Sequence, residues 1–129
     1  MQGNYLARTL QLDAASCALF FGLGVGVTAT VSELLGLPRS VVAAGGWICL
    51  PAAVLLALAA VRPSKPLLAA LVVANLGWVL ASVAVWIAWF GQLTMLGHVV
   101  LIAQALAVEL FLTLEWRGMK ALGTSTAHA

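Results

Sequence analysis

The sequence predicts an all-α membrane protein, an up-down-up-down bundle of four transmembrane helices with both termini in the cytoplasm. Four apolar runs follow one another along the chain, and each has about the 20 residues that a helix needs to cross a bilayer. Of all residues, 64% are hydrophobic and 8% are charged, whereas soluble domains carry about 25% charged residues. The basic residues gather on one side of the predicted bundle, which favours a single orientation.

The first half of the chain predicts two spanning helices. TM1 covers about residues 10–31, and its apolar run is longer than the roughly 7–15 residues of a signal peptide, so we expect it to be retained. A turn over Glu33–Ser40 follows, where a glycine can end one helix and a proline can open the next. TM2 covers about residues 41–61 and contains Pro51, which removes a backbone hydrogen bond and favours a kink.

The second half predicts a helical hairpin. The loop Arg62–Pro66 has two prolines, a serine and two cations, and it separates TM2 from TM3. TM3 covers about residues 67–90, and TM4 covers about residues 93–116 after the short link Gly91–Gln92. The polar segment 117–129 is expected to be a frayed tail. The whole chain is thus expected to form one transmembrane domain.

Charge predicts the orientation of this bundle. With four spans, the N-terminus, the TM2–TM3 loop and the tail share one side of the membrane. That side holds five basic residues: Arg8, Arg62, Lys65, Arg117 and Lys120. The other side holds only Arg39. The positive-inside rule then places both termini in the cytoplasm, and we expect a multi-pass protein of the bacterial inner membrane.

Small residues indicate where the helices approach one another. TM1 contains a GxxxG spacing, Gly22 to Gly26, and TM2 carries a similar small-residue stripe that includes Gly46. Such stripes let helix backbones come close in a membrane. We expect them to pack TM1 against TM2, with homo-oligomerisation through the same face as the alternative.

Glu109 is the acid that lies well inside a predicted span. A charged side chain near the bilayer centre costs about 2.5–3.5 kcal/mol on insertion scales, so such residues usually face protein or water. The short TM3–TM4 link predicts an antiparallel hairpin that pairs Asn75 with Glu109 and Trp86 with His98. Three interpretations of Glu109 stay open: a neutral clamp hydrogen-bonded to Asn75, a proton- or ligand-binding carboxyl, and a contact to another subunit.

The candidate ligand or proton site comprises the polar and aromatic residues of the two facing stripes. These are Glu109, Asn75, Trp78, Ser82, Trp86 and His98. Asp13 and Glu115 lie near predicted helix ends, and we interpret them as interfacial partners of nearby basic residues. No catalytic constellation and no metal-ligand or cofactor spacing is present, and the unclustered basic residues argue against nucleic-acid binding.

Several short motifs are spread over nearly the whole chain: Asp13-Ala14, Leu35-Gly36-Leu37-Pro38, Pro51, Asn75 with Trp78, and Gln104-Ala105. In these features the sequence resembles a loose group of small bacterial four-helix integral membrane proteins without assigned function. The resemblance implies a four-helix topology and implies no activity.

Three functions fit these observations. The first is a non-enzymatic accessory or scaffold component that packs against itself or a larger membrane complex. The second is a small proton-coupled transporter that uses Glu109. The third is an intramembrane binder of an apolar ligand such as a quinone or a lipid, lined by Trp78, Trp86 and His98. We expect no enzymatic activity and no cofactor, and membrane lipid is the expected environment.

Overall fold

The computed structural model describes residues 2–128, with side chains over residues 5–121. This part of the chain is all-helical and has five helices: α1 (Gln2–Gly26), α2 (Thr28–Leu35), α3 (Arg39–Val61), α4 (Lys65–Ala88) and α5 (Met95–His128). All except α2 are long and apolar enough to cross a membrane. The prediction of an all-α chain with four candidate membrane-spanning helices is confirmed.

The first apolar run bends at Val27, where α1 ends and α2 begins. Val27 has φ −130° and ψ 45°, outside the helical region. Its N–H still donates to the Leu23 carbonyl at 3.2 Å, so the chain bends without turning back. The Thr28 hydroxyl donates to the Gly24 carbonyl at 2.5 Å, and a hydroxyl that competes for this carbonyl often bends a helix.

The end of α2 is joined to the turn between α4 and α5. Gly36 has φ +76°, the left-handed conformation that favours glycine. A side chain at this position would also run into the main chain of Gln92. Thr94 completes the junction, because its N–H donates to the Leu35 carbonyl at 3.1 Å and its hydroxyl donates to the Leu34 carbonyl at 2.6 Å.

Helices α1 and α3 form the first close pair, and the two helices are antiparallel. A Cβ added to Gly24 would lie 2.9 Å from the Val42 carbonyl and 3.0 Å from the Gly46 Cα. Gly46 is therefore at the contact, whereas a Cβ at Gly22 or Gly26 would meet nothing within 4 Å. The predicted packing of this pair through Gly22 and Gly26 is corrected, because the inward face of α1 carries Gly24 instead.

Helices α4 and α5 form the second pair, and two apolar clusters join the pairs at opposite ends of the bundle. The first cluster lies beside the α3–α4 loop and contains Leu6, Leu10, Leu56, Ala59, Leu68, Leu71 and Met119. The second lies beside the α2 junction and contains Leu37, Val42 and Leu93. Helix α5 continues to His128, where a frayed tail was predicted from residue 117 onward. Met119, 8% exposed in the first cluster, anchors the helix beyond Trp116.

Candidate functional site

Three polar side chains from three different helices meet between the two pairs, and we call them the Asp–Asn–Glu cluster. They are Asp13 of α1, Asn75 of α4 and Glu115 of α5. The amide Nδ2 of Asn75 donates to Glu115 Oε2 at 2.5 Å and to Asp13 Oδ2 at 3.3 Å. Asp13 is 2% exposed and Glu115 is 0% exposed. One amide group therefore holds two buried carboxyl groups close together.

Two thiols lie next to this cluster. Cys17 stands one turn after Asp13 and its Sγ lies 3.9 Å from Asp13 Oδ1, within donating distance. Cys49 of α3 lines the same cavity as Cys17, and both cysteines are free. The polar region thus extends from α5 through α4 and α1 to α3.

Asp13 and Glu115 are held by a neutral amide and are not in contact with a positive side chain among residues 5–121. Among residues 5–121, no ion pair reaches Asp13 or Glu115, and the buried Oε1 of Glu115 has no hydrogen-bond partner. Two carboxylates in one buried site repel each other, and a single proton held between them removes that repulsion. The same proton would supply the donor that Glu115 Oε1 lacks. The chemistry of the cluster is therefore suited to holding a proton.

A cavity of about 130 Å³ adjoins the cluster, and Asp13, Asn75, Cys17 and Cys49 are among its lining residues. A larger cavity of about 550 Å³ continues from it towards α2, with an almost wholly apolar lining. The two cavities share four wall residues: Phe20, Ile48, Trp78 and Gln104. The space between the helix pairs is therefore a groove that is bounded by an apolar cluster at either end and open along its side, where Ile48 and Leu96 are exposed, and the carboxyl groups lie at one of its ends.

A short hydrogen-bonded chain lines the shared wall. The Trp78 indole donates to Gln104 Oε1 at 2.6 Å, and Gln104 Nε2 donates to the Ser82 hydroxyl at 2.9 Å. Ser82 in turn donates to the Trp78 carbonyl at 2.8 Å. Two residues of the predicted site, Trp78 and Ser82, are thus brought together at the cavity, and Gln104 of α5 joins them.

Trp86 and His98 pair as the hairpin register predicts. The Trp86 indole donates to His98 Nδ1 at 2.9 Å, and the Phe90 ring lies 4.8 Å from the imidazole, edge to face. Neither residue lines either cavity. This pair lies near the turn between α4 and α5, far from the Asp–Asn–Glu cluster, and it holds the two helices together there.

The predicted hydrogen bond between Asn75 and Glu109 is wrong. Asn75 donates to Glu115 instead, and Glu109 is exposed on the outer side of α5. Six residues on a helix correspond to a rotation of about 120°, so Glu109 points away when Glu115 points inward. Side chains lean towards the N-terminus of their own helix, and in an antiparallel pair Asn75 and Glu115 lean towards each other.

The prediction that Asp13 and Glu115 are interfacial partners of basic residues is wrong, because α1 and α5 extend beyond the predicted spans and both acids are buried between helices. A usable signal was present in the spacing of the apolar residues. In α1, Leu6, Leu10, Asp13 and Cys17 recur at helical spacing on the buried side. In α5, Glu115 and Met119 are four residues apart, and both are buried. An acid that continues an apolar stripe belongs to the interior.

Comparison of the chain with protein-family models, with curated proteins and with solved structures finds no match.

Proposed function

We propose that this protein binds an apolar molecule, such as a quinone or a lipid, inside its helix bundle. The observation that carries the proposal is the groove between the two helix pairs. Its larger part, about 550 Å³, lies within the roughly 300–1,000 Å³ of typical ligand pockets. The apolar lining suits a hydrocarbon or isoprenoid chain, because such a chain makes van der Waals contacts with the side chains and leaves no polar group unpaired.

The polar groups on the cavity walls indicate which kind of head group the bound molecule would carry. The Asp–Asn–Glu cluster offers carboxyl oxygens beside the smaller cavity, and the Trp78–Gln104–Ser82 chain borders both cavities. Acceptor oxygens bind a head group that donates a hydrogen bond, such as a hydroxyl or an amine. We therefore propose a ligand with an apolar chain directed towards α2 and a donor group directed towards Asp13.

A cavity-filling substitution tests this proposal. Gly45 lines the larger cavity, and a Cβ added there would meet only the Trp78 ring, at 3.7 Å. Gly45→Leu should fill the space without a main-chain clash and should abolish co-purification of an apolar molecule, measured by mass spectrometry of extracts. Gly77→Leu is the matched control, because Gly77 is exposed and an added Cβ meets nothing within 4 Å. Equal ligand content in both variants and the wild type, or no apolar ligand in the wild type, would contradict the proposal.

A second candidate is proton-coupled transport through Asp13 and Glu115, in place of Glu109. The unpaired Oε1 of buried Glu115 favours it, because that oxygen lacks the donor that a shared proton would help to provide. A protonated carboxyl group has its own carbonyl stretch in the infrared spectrum. The measurement is made in a Glu109→Gln background, so that no proton held at position 109 contributes to the band. There we expect Glu115→Gln to remove the band, while Glu33→Gln, at an exposed position near the end of α2, leaves it in place. Retention of the band in Glu115→Gln would exclude Glu115 as the proton carrier.

We also propose that the four long helices cross the bacterial inner membrane in up-down-up-down order with both termini in the cytoplasm. The antiparallel contacts within each pair and the five basic residues on the terminal side support this arrangement. A reporter enzyme active only outside the cytoplasm should be inactive when fused to the C-terminus. Activity of that fusion would reverse the orientation.

The accessory-subunit hypothesis remains a prediction. It would gain support if a larger membrane assembly, rather than an apolar ligand, co-purified with the chain.

A further inference from the structure

Glu109 is an acidic residue on the exposed face of α5, where a membrane-spanning helix would meet lipid. It is at the middle of the Met95–Ala121 span, about 20 Å from either end at ~1.5 Å per residue. Its side chain is exposed, and among residues 5–121 no hydrogen bond or ion pair reaches its carboxyl group. A carboxyl group exposed to lipid at this depth is costly, so another polar surface must cover it.

The surroundings of Glu109 form a regular seam along α5. Exposed residues follow one another at alternating intervals of four and three: Met95, Val99, Ile102, Leu106, Glu109, Thr113 and Trp116. A stripe that repeats every seven residues stays in line along a second helix that winds round the first, as in a two-stranded coiled coil. A single polar residue in such a seam sets the register and the number of strands.

We propose that this seam packs against the same seam of a second copy of the chain. The two copies are related by a two-fold axis that runs parallel to α5 and passes beside Glu109. In that arrangement the two α5 helices are parallel, and each Glu109 lies opposite its counterpart at the same depth. A carboxyl group that carries a proton both donates and accepts, so two such groups complement each other. Thr113, exposed one turn further on, adds a hydroxyl acceptor to the same surface.

The positions of the basic residues favour the two-fold arrangement over other contacts between copies. All six Lys and Arg residues lie in loops or within about one turn of the ends of the candidate spans, and none lies in the middle of a span. A head-to-tail contact would therefore bring no cation to Glu109. The two-fold contact satisfies the carboxyl group with groups that this chain itself supplies, and it does not depend on a ligand in the cavity.

Cysteine cross-linking in membranes tests the location of the contact. Leu106 in the seam is 61% exposed, and Leu80 on α4 and Leu19 on α1 are similarly exposed, at 62% and 60%. After oxidation, Leu106→Cys should give a band of twice the monomer mass, whereas Leu80→Cys and the unsubstituted protein should not. Cross-linking through Leu19→Cys in its place, or an adduct of another mass, would overturn the proposal.

Substitution of Glu109 in the Leu106→Cys background tests the role of the carboxyl group. Glu109→Leu should weaken association about 3- to 30-fold, which corresponds to the ~0.6–2 kcal/mol of a hydrogen bond between membrane helices. Glu109→Gln keeps a group that donates and accepts, and it should retain the cross-link. Unchanged dimerisation in Glu109→Leu would overturn the assignment of Glu109 to the contact.

Discussion

Replacement of Asn75 by leucine should strongly destabilise the bundle, although the two side chains have similar size. The substitution removes the donor of two hydrogen bonds, at 2.5 Å to Glu115 and at 3.3 Å to Asp13. Hydrogen bonds between membrane helices contribute about 0.6–2 kcal/mol each. Both carboxyl groups would also stay buried without that donor, and a buried unsatisfied group costs about 1–3 kcal/mol. We expect the free energy of unfolding to fall by about 2–4 kcal/mol.

Reversible unfolding by a denaturing detergent in bicelles, followed by far-ultraviolet circular dichroism, measures this change. Ser16→Ala is the control, because the Ser16 hydroxyl donates to the Leu12 carbonyl of its own helix at 2.9 Å; its effect should stay within about 0.5 kcal/mol. A combined variant, Asp13→Leu with Asn75→Leu and Glu115→Met, should recover most of the lost stability, since an apolar replacement of a whole polar group is often neutral or stabilising.

Two results would refute the reasoning about Asn75. The first is an Asn75→Leu variant within about 0.5 kcal/mol of the wild type, because the amide would then not support the two carboxyl groups. The second is a combined variant that is less stable than Asn75→Leu alone. In that case the loss would come from shape at Asn75 rather than from unsatisfied polar atoms.

Two further substitutions probe the helix contacts by the same unfolding measurement. Gly97→Ala should destabilise the protein by about 1–3 kcal/mol, because the new Cβ would run into the Leu35 carbonyl. The control Gly26→Ala, at a position with open space around it, should be neutral or stabilising. Equal effects of the two substitutions would contradict the close contact at Gly97. Trp86→Phe should lower the free energy of unfolding by about 1–2 kcal/mol, because the indole donor to His98 is lost. The control Trp47→Phe, at a position 55% exposed, should change stability little. A neutral Trp86→Phe would show that the Trp86–His98 pair does not stabilise the hairpin.

Glu109 and Glu115 illustrate what the sequence leaves open, because the acid predicted to face inward is exposed and the acid predicted at the interface is buried. Glu109 attracted attention because it lies in the middle of an apolar run, whereas Glu115 lies near the end of that run. Both positions are consistent with the same hydropathy pattern, and only the rotation of α5 about its axis decides which one faces inward. That rotation is set by contacts such as Met119 in the first apolar cluster and Gly97 against Leu35.

By itself, the sequence determined the fold class and the four long helices, because the length and composition of apolar runs depend on local residues alone. It also determined the pairing of Trp86 with His98, since the short link between α4 and α5 restricts the register. Tertiary structure decided which faces meet. It brought Asp13 of α1 to Asn75 and Glu115, chose Gly24 over Gly22 for the α1–α3 contact, and left Glu109 outside. Contacts between residues far apart in the chain depend on how helices rotate and cross, and hydropathy does not encode that geometry.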